Sequence, residues 1–212
     1  PDLVGAGLQG VNISIDALDE DVFHRITRRS GVDKVLRGID AAVNTPGLGV
    51  KLNCVPTQNN REQLVPLARF AAERDVPLRF IELMPIGEGK SLQMLSEDTV
   101  RAQLEAELGP FKPMENPNLR EKCRYFDLPG GGRVGFISAL SHKFCGYCDR
   151  IRMTADGFLK TCLQYDKGVA LQPLLGGSDE EIRDAIVAAV REKPAGHHFG
   201  DAARSGDENR KM

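Results

Sequence analysis

No run of about eighteen apolar residues occurs in the sequence, so no segment reads as a helix that crosses a membrane. There is no excess of positive charge either. Lys and Arg number 28 against 30 Asp and Glu, a net charge of −2, which argues against a nucleic-acid or membrane-surface binder. An anionic ligand must then be held by a local cluster of bases. Nothing at the start reads as a secretory signal, and the five cysteines do not make an even set. Both features argue against a disulfide framework and for a reducing, cytoplasmic setting, where thiols are either core packing or metal ligands. The chain opens on "PDLVGAGLQG" without Met, as expected of a fragment.

What is present is an ordinary globular composition, 41% apolar and 27% charged, over 212 residues, enough to bury a core. "VNISID" (Val11 to Asp16), "GVKLNCVPT" and the nearly continuous apolar run from Pro77 to Gly87 read as strands. Between them lie amphipathic helical patterns, one with Val35, Leu36, Ile39 and Val43 on one face. The other carries Leu64, Leu67, Ala68, Ala71 and Ala72, with Pro66 expected to delay or kink it. Strand and helix in alternation predict βαβ units and a parallel sheet. Three strands are too few to close a barrel, but could be the back half of one. After the helical pattern "SEDTVRAQLEAELG" the chain turns to short strands, with hairpins expected around Pro129–Gly132 and Ala155–Gly157. A last helix begins with a capping box of Ser178 and Glu181, and its expected buried stripe is Ile182, Ile186, Ala189 and Val190. Beyond Pro194 the chain reads as a polar, mobile tail.

The chemistry concentrates in "FCGYCDRIRMTADGFLKTCL". Cys145 and Cys148 share a C-x-x-C turn, and Cys162 returns along the second hairpin. A three-residue loop with Gly157 left-handed would set Thr154 opposite Phe158, Arg152 opposite Lys160 and Arg150 opposite Cys162, and is favoured because it builds one site; a two-residue Asp-Gly loop would slip the register and send Cys162 to the other face. Side chains alternate with period two, so Arg150, Arg152 and Cys162 would share a face. Three thiolates suit a [4Fe–4S] cluster with one open iron, or zinc with a fourth ligand such as His142 in "HKFCGYC". Spacing alone does not decide between them. Arg150 and Arg152 beside thiols suggest a polyphosphate, which guanidinium groups grip in two places.

This stretch resembles the C-terminal cluster motif of the GTP 3′,8-cyclases of molybdenum cofactor biosynthesis, a family of radical S-adenosylmethionine enzymes. "VNISIDALDEDVFHRIT", "GVKLNCVPTQNN" and "LRFIELMPIGEG" resemble barrel segments of that family in the same order. The resemblance implies an α/β fold: the C-terminal part of an incomplete (β/α) radical S-adenosylmethionine barrel, residues 1–90, then a smaller α+β domain with β-hairpins, residues 91–212. It implies conversion of GTP to 3′,8-cyclo-dihydro-GTP through a 5′-deoxyadenosyl radical, with GTP, S-adenosylmethionine and an electron donor as partners and homodimerisation left open. It implies that Cys145, Cys148 and Cys162 ligate a [4Fe–4S] cluster that binds the guanine at its open iron, and that Lys51, Arg150, Ile151 and Arg152 bind GTP. Ser14 and Met84 match positions near S-adenosylmethionine. Arg79, and less strongly Asn53, are candidates for the same site; a structural pairing of Arg79 with Glu82 is the alternative.

The sequence departs from the family's pattern at its start, where members carry C-x-x-x-C-x-x-C for a first [4Fe–4S] cluster. The remaining thiols, Cys54 and Cys123, are far apart, and Cys54 reads as core packing. That cluster is expected only in the full-length protein, and the fragment alone is expected to be inactive. The Gly-Gly tail common in the family is also not seen in "ENRKM", and His197 and His198 read as surface residues. Two rival readings are a zinc-stabilised Cys3His binding module and another radical S-adenosylmethionine enzyme with an auxiliary cluster.

Overall fold

The computed structural model describes residues 2–115 and 122–199. It divides into two compact units, residues 1–143 and 144–212.

In the first unit a short helix α1 (Asp2–Gly5) leads into β1 (Gly10–Ser14). Helices α2 (Glu20–Thr27) and α3 (Val32–Val43) follow, then β2 (Gly49–Cys54). The Asp19 carboxylate starts α2 by accepting from the backbone N–H groups of Asp21 and Val22, both at 3.0 Å. A 3-10 segment, Gln58–Gln63, precedes α4 (Leu64–Glu73). Pro66 therefore falls in the first turn of α4, where its missing N–H leaves no helical bond unmade, and the regular helix is delayed as expected. Then come β3 (Leu78–Ile81), α5 (Glu97–Leu108), β4 (Lys112–Pro113), and the hairpin β5 (Arg124–Asp127) and β6 (Arg133–Ile137).

The six strands form one sheet in the order β1-β2-β3-β6-β5-β4. The first four in that order are parallel, and β5 and β4 add antiparallel edges. The result is a mixed α/β sheet that stays open among the described residues. It also places the division of the chain later than the expected 90/91 boundary. Strand β6 hydrogen-bonds to β3, with Phe80 opposite Phe136, so residues 91–143 pack with the first unit.

Alternation along the strands sends one set of side chains into the core. Leu52, Cys54, Leu78, Phe80, Val134 and Phe136 are buried with Leu64, Leu67, Val100 and Leu104 from α4 and α5. The Phe80 and Phe136 rings stack at 5.7 Å. The opposite face differs from expectation at β3, which is shorter than Pro77–Gly87 and only half covered on alternate residues. Beyond Ile81, Glu82 keeps one further ladder bond, its N–H to the Ile137 carbonyl at 3.0 Å, before the backbone turns at Met84–Ile86.

Glu82 is itself buried and carries a dense set of donors. One carboxylate oxygen accepts the Glu97 N–H at 3.0 Å and the Ser141 hydroxyl. The other accepts the N–H groups of Leu140 and Ser141 at 2.8 and 3.0 Å. Burial pushes this carboxyl's pKa up, but these bonds to the ionised form outweigh it and leave the pKa below its ordinary value. Glu82 therefore fixes the first turn of α5 and the loop after β6. It does not pair with Arg79.

In the second unit a 3-10 turn at Cys145–Tyr147 leads to β7 (Arg152–Met153), β8 (Phe158–Lys160), β9 (Gly168–Ala170) and α6 (Asp179–Arg191). The three strands form one small sheet. The Ser178–Glu181 capping box of α6 is present. Of its expected stripe only Ala189 is buried; Val190 is 42% exposed.

Candidate functional site

Each unit carries part of the candidate chemistry. In the first, the parallel register sets Asn12 beside Lys51, and Ser14, Asn53 and Arg79 in one row across β1, β2 and β3. Period-two alternation puts all five on the face opposite the helices. The Arg79 guanidinium donates to the Asn53 side-chain oxygen and to that of Asn12, both at 2.8 Å. Two neutral acceptors hold this cation in a planar fork without neutralising it, which leaves positive charge for an anion. Asn12 was not singled out in the sequence, although it lies two residues before Ser14 on the same strand face. Arg79 continues beside Gly135 of β6. A Cβ there would stand 2.5 Å from the Cys123 sulfur and 2.9 Å from the Tyr125 ring, so the neighbouring strand leans over this position. Met84 lies outside the row, past the end of β3, and its carbonyl accepts the Ile86 N–H at 2.8 Å.

Cys54 points into the core of the first unit. Burial drives its thiol pKa well above the ordinary value, and the neighbouring Asp16 carboxylate adds to the effect. Its role as packing follows from that environment. His142 also belongs to the first unit, where a ring nitrogen, Nε2, sits 3.0 Å from the Asp98 carboxylate.

In the second unit the hairpin adopts the expected register. Arg152 pairs with Lys160, the Thr154 N–H reaches the Phe158 carbonyl at 2.9 Å, and Gly157 is left-handed at φ +80°. The ladder ends there. Arg150 and Cys162 lie just beyond it, where the sequence predicts the next pair. The Lys193 ammonium bridges that gap, donating to the Arg150 carbonyl at 2.8 Å and to the Thr161 carbonyl. The side chain of Arg150 stays 72% exposed, 3.7 Å from Asp149, and Ile151 and Arg152 are exposed on the edge strand.

Cys145 and Cys148 sit in the 3-10 turn, closed by the Cys148 N–H on the Cys145 carbonyl at 3.1 Å. All five cysteines are thiols rather than disulfides, and Cys145, Cys148 and Cys162 are partly exposed while Cys54 and Cys123 are buried. Thiol labelling of the native protein should therefore modify these three quickly and the other two only on unfolding, as counted by mass spectrometry. The donor set suits a thiophilic group such as an iron–sulfur cluster. The arrangement is not closed around a centre: among the described residues no three His, Cys, Asp or Glu side chains are gathered to hold a metal.

The expected mobile tail is corrected as far as residue 199. His197 is buried and stacks on Phe199 at 5.0 Å, and the His198 N–H donates to the Gln164 side-chain oxygen. Among the described residues no helix is long and apolar enough to cross a membrane.

An open mixed α/β sheet with a polar, cationic face and a hairpin that carries thiols and arginines make up the candidate chemistry of the chain. Residues 76–199 match the family described as Molybdenum Cofactor Synthesis C, and the chain belongs to that family. It is similar to the GTP 3′,8-cyclase of Clostridium perfringens strain 13, 39% identical over 197 residues, with 91% of this chain and 61% of the relative covered. The enzyme of the same name from Marinobacter nauticus is 38% identical over 203 residues, covering 92% of this chain and 61% of the relative. The one from Syntrophomonas wolfei is 36% identical over 217 residues, covering 99% and 66%. The chain thus spans about three-fifths of the length of the first of these relatives.

Proposed function

We propose that this chain forms the substrate-binding part of a GTP 3′,8-cyclase of molybdenum cofactor biosynthesis, which acts on GTP by 5′-deoxyadenosyl radical chemistry in the cytoplasm. The observation that carries the reading is the hairpin: exposed Arg152 opens its first strand and exposed Arg150 lies two residues before it, between a two-thiol turn and a third thiol. The similarity to three enzymes of that name, over nine-tenths of the chain or more, supports it.

In this reading Cys145, Cys148 and Cys162 hold a [4Fe–4S] cluster. When bound, the cluster supplies an open coordination position for the guanine. The chain's own residues do the positioning. Arg150 and Arg152 grip the triphosphate oxygens through paired N–H donors, and Ile151 lies between them in the same stretch. Lys51 adds charge on the polar face of the first unit, beside the Arg79 fork, and Ser14 and Met84 lie towards S-adenosylmethionine. Strands β1 to β3 are then parallel strands from the back half of a radical S-adenosylmethionine barrel, and β6 extends the parallel run beyond them. The first cluster and the site of its electron donor belong to the remaining length of the relatives.

A zinc module with His142 as fourth ligand is the alternative reading; Asp98 engages Nε2, so such a site would have to use Nδ1. Calorimetric titration of GTP into the anaerobically reconstituted chain tests the proposal. Arg150→Ala should weaken binding by about 10- to 100-fold, the range for losing a charge-assisted phosphate contact. Its melting temperature should hold, since the side chain is largely in solvent. Equal affinity in the two proteins would sink the assignment.

A further inference from the structure

We infer that Lys193 is the positioning residue of the thiol and arginine hairpin, replacing by one side chain the ladder pair that Arg150 and Cys162 do not make. The β7–β8 ladder covers only two pairs, Arg152 with Lys160 and Met153 with Leu159. A two-pair antiparallel ribbon is marginal by itself, and its open end frays first. That open end carries Arg150 on one strand and Thr161–Cys162 on the other. The Lys193 ammonium donates to the carbonyls of Arg150 and Thr161, one from each strand. A cation donating to two carbonyls holds them at a fixed spacing, and charged donors make the stronger class of hydrogen bond. The clamp takes hold of backbone only, so the Arg150 guanidinium stays exposed for a ligand.

The anchor on the other side is α6. Lys193 follows its last residue, Arg191, by two positions, and its N–H closes on the Val190 carbonyl at 3.1 Å. The chain then continues past the second thiol-bearing segment. A Cβ on Gly196 would meet the Cys145 Cβ at 3.6 Å and its sulfur at 3.9 Å, and the Tyr165 hydroxyl lies 3.5 Å from the Gly196 carbonyl. The stretch from Lys193 to Gly196 therefore touches both the turn that carries Cys145 and the strand end that carries Cys162. It sets the spacing between the two thiol-bearing segments before any group is bound.

The part of this inference that concerns cluster and GTP rests on the function proposed above; the clamp itself does not. Lys193→Met keeps the aliphatic stem and removes the donors, Lys193→Arg restores them, and Gly196→Ala is a control in ordinary contact range. Hydrogen exchange followed by mass spectrometry on the metal-free full chain reads the clamp directly. The amides of Arg152, Thr154 and Lys160, the hydrogen-bonded positions of the β7–β8 ladder, should exchange about tenfold faster in Lys193→Met, or more, with Lys193→Arg close to wild type and Gly196→Ala unchanged. Unchanged exchange in Lys193→Met overturns the clamp. If Lys193→Met fails to fold, Lys193→Gln, which keeps one neutral donor, takes its place and should exchange faster than Lys193→Arg; equality of those two overturns the clamp as well. After reconstitution, GTP affinity should fall in Lys193→Met and recover in Lys193→Arg. A wild-type chain that takes up neither cluster nor GTP contradicts the proposed function while the exchange result on Lys193 still stands.

Discussion

Replacing Cys162 by Ser should abolish retention of iron and sulfide by the anaerobically reconstituted chain, whereas Cys54→Ala should retain both. The two thiols differ in surroundings rather than in type. Cys54 is fully buried, and burial raises its pKa well above the ordinary value, which disfavours the thiolate a metal needs. Cys162 is partly exposed, next to Thr161, whose carbonyl Lys193 holds. With three protein ligands, a cluster that already leaves one iron open has none to spare, so loss of one thiolate is an all-or-none effect. GTP affinity should fall with the cluster in Cys162→Ser. It should fall in Arg150→Ala with the cluster intact. Iron retained at the wild-type ratio in Cys162→Ser would remove this residue from the ligand set.

Glu82→Ala should destabilise the first unit by about 3–5 kcal/mol, the range for breaking a buried charged network. Four donors converge on its carboxylate: the N–H groups of Glu97, Leu140 and Ser141, and the Ser141 hydroxyl. Each buried donor left without an acceptor costs about 1–3 kcal/mol, and the losses overlap because the groups share one site. The effect depends on pH in a definite direction. The folded carboxyl titrates below its ordinary value of 4.5, so it binds fewer protons than its unfolded counterpart in that range. Its stabilisation is complete above the unfolded value and is lost as the pH falls through the lower folded one. Urea melts of the two proteins should therefore differ most at neutral pH and converge in acid. A gap that stays constant down through the carboxylate range would contradict the account.

Much of the architecture was legible from local signals, because these depend on neighbours in the chain. The Ser178–Glu181 capping box, the delay imposed by Pro66 and the left-handed Gly157 each specify one turn through a backbone requirement. Gly157 allows two loop lengths, and the three-residue loop is favoured because it gathers Arg150, Arg152 and Cys162 on one face; the observed register of Arg152 with Lys160 agrees with it. What the sequence missed depends on partners distant in the chain. Strand β6 joins β3 with register partners 56 positions apart (Leu78 with Val134), which moves the division between the units to 143/144. Arg79 reads as a site candidate, with an ion pair to Glu82 or another acid as the alternative; alternation points Arg79 and Glu82 to opposite faces, and Asn12 and Asn53 take the guanidinium. Lys193 carries no motif in the sequence, and only the folded position of two carbonyls gives it a role. Val190 fits the helical period of the stripe, but α6 packs against a small sheet that covers less than the full face.

The central claim is that Cys145, Cys148 and Cys162 form a three-thiolate cluster site serving GTP. Metal and acid-labile sulfide analysis of the anaerobically reconstituted chain tests it most directly. The account predicts close to four iron and four sulfide per chain, as a [4Fe–4S] cluster requires. Stoichiometric zinc without sulfide, bound through the same three cysteines, would contradict it.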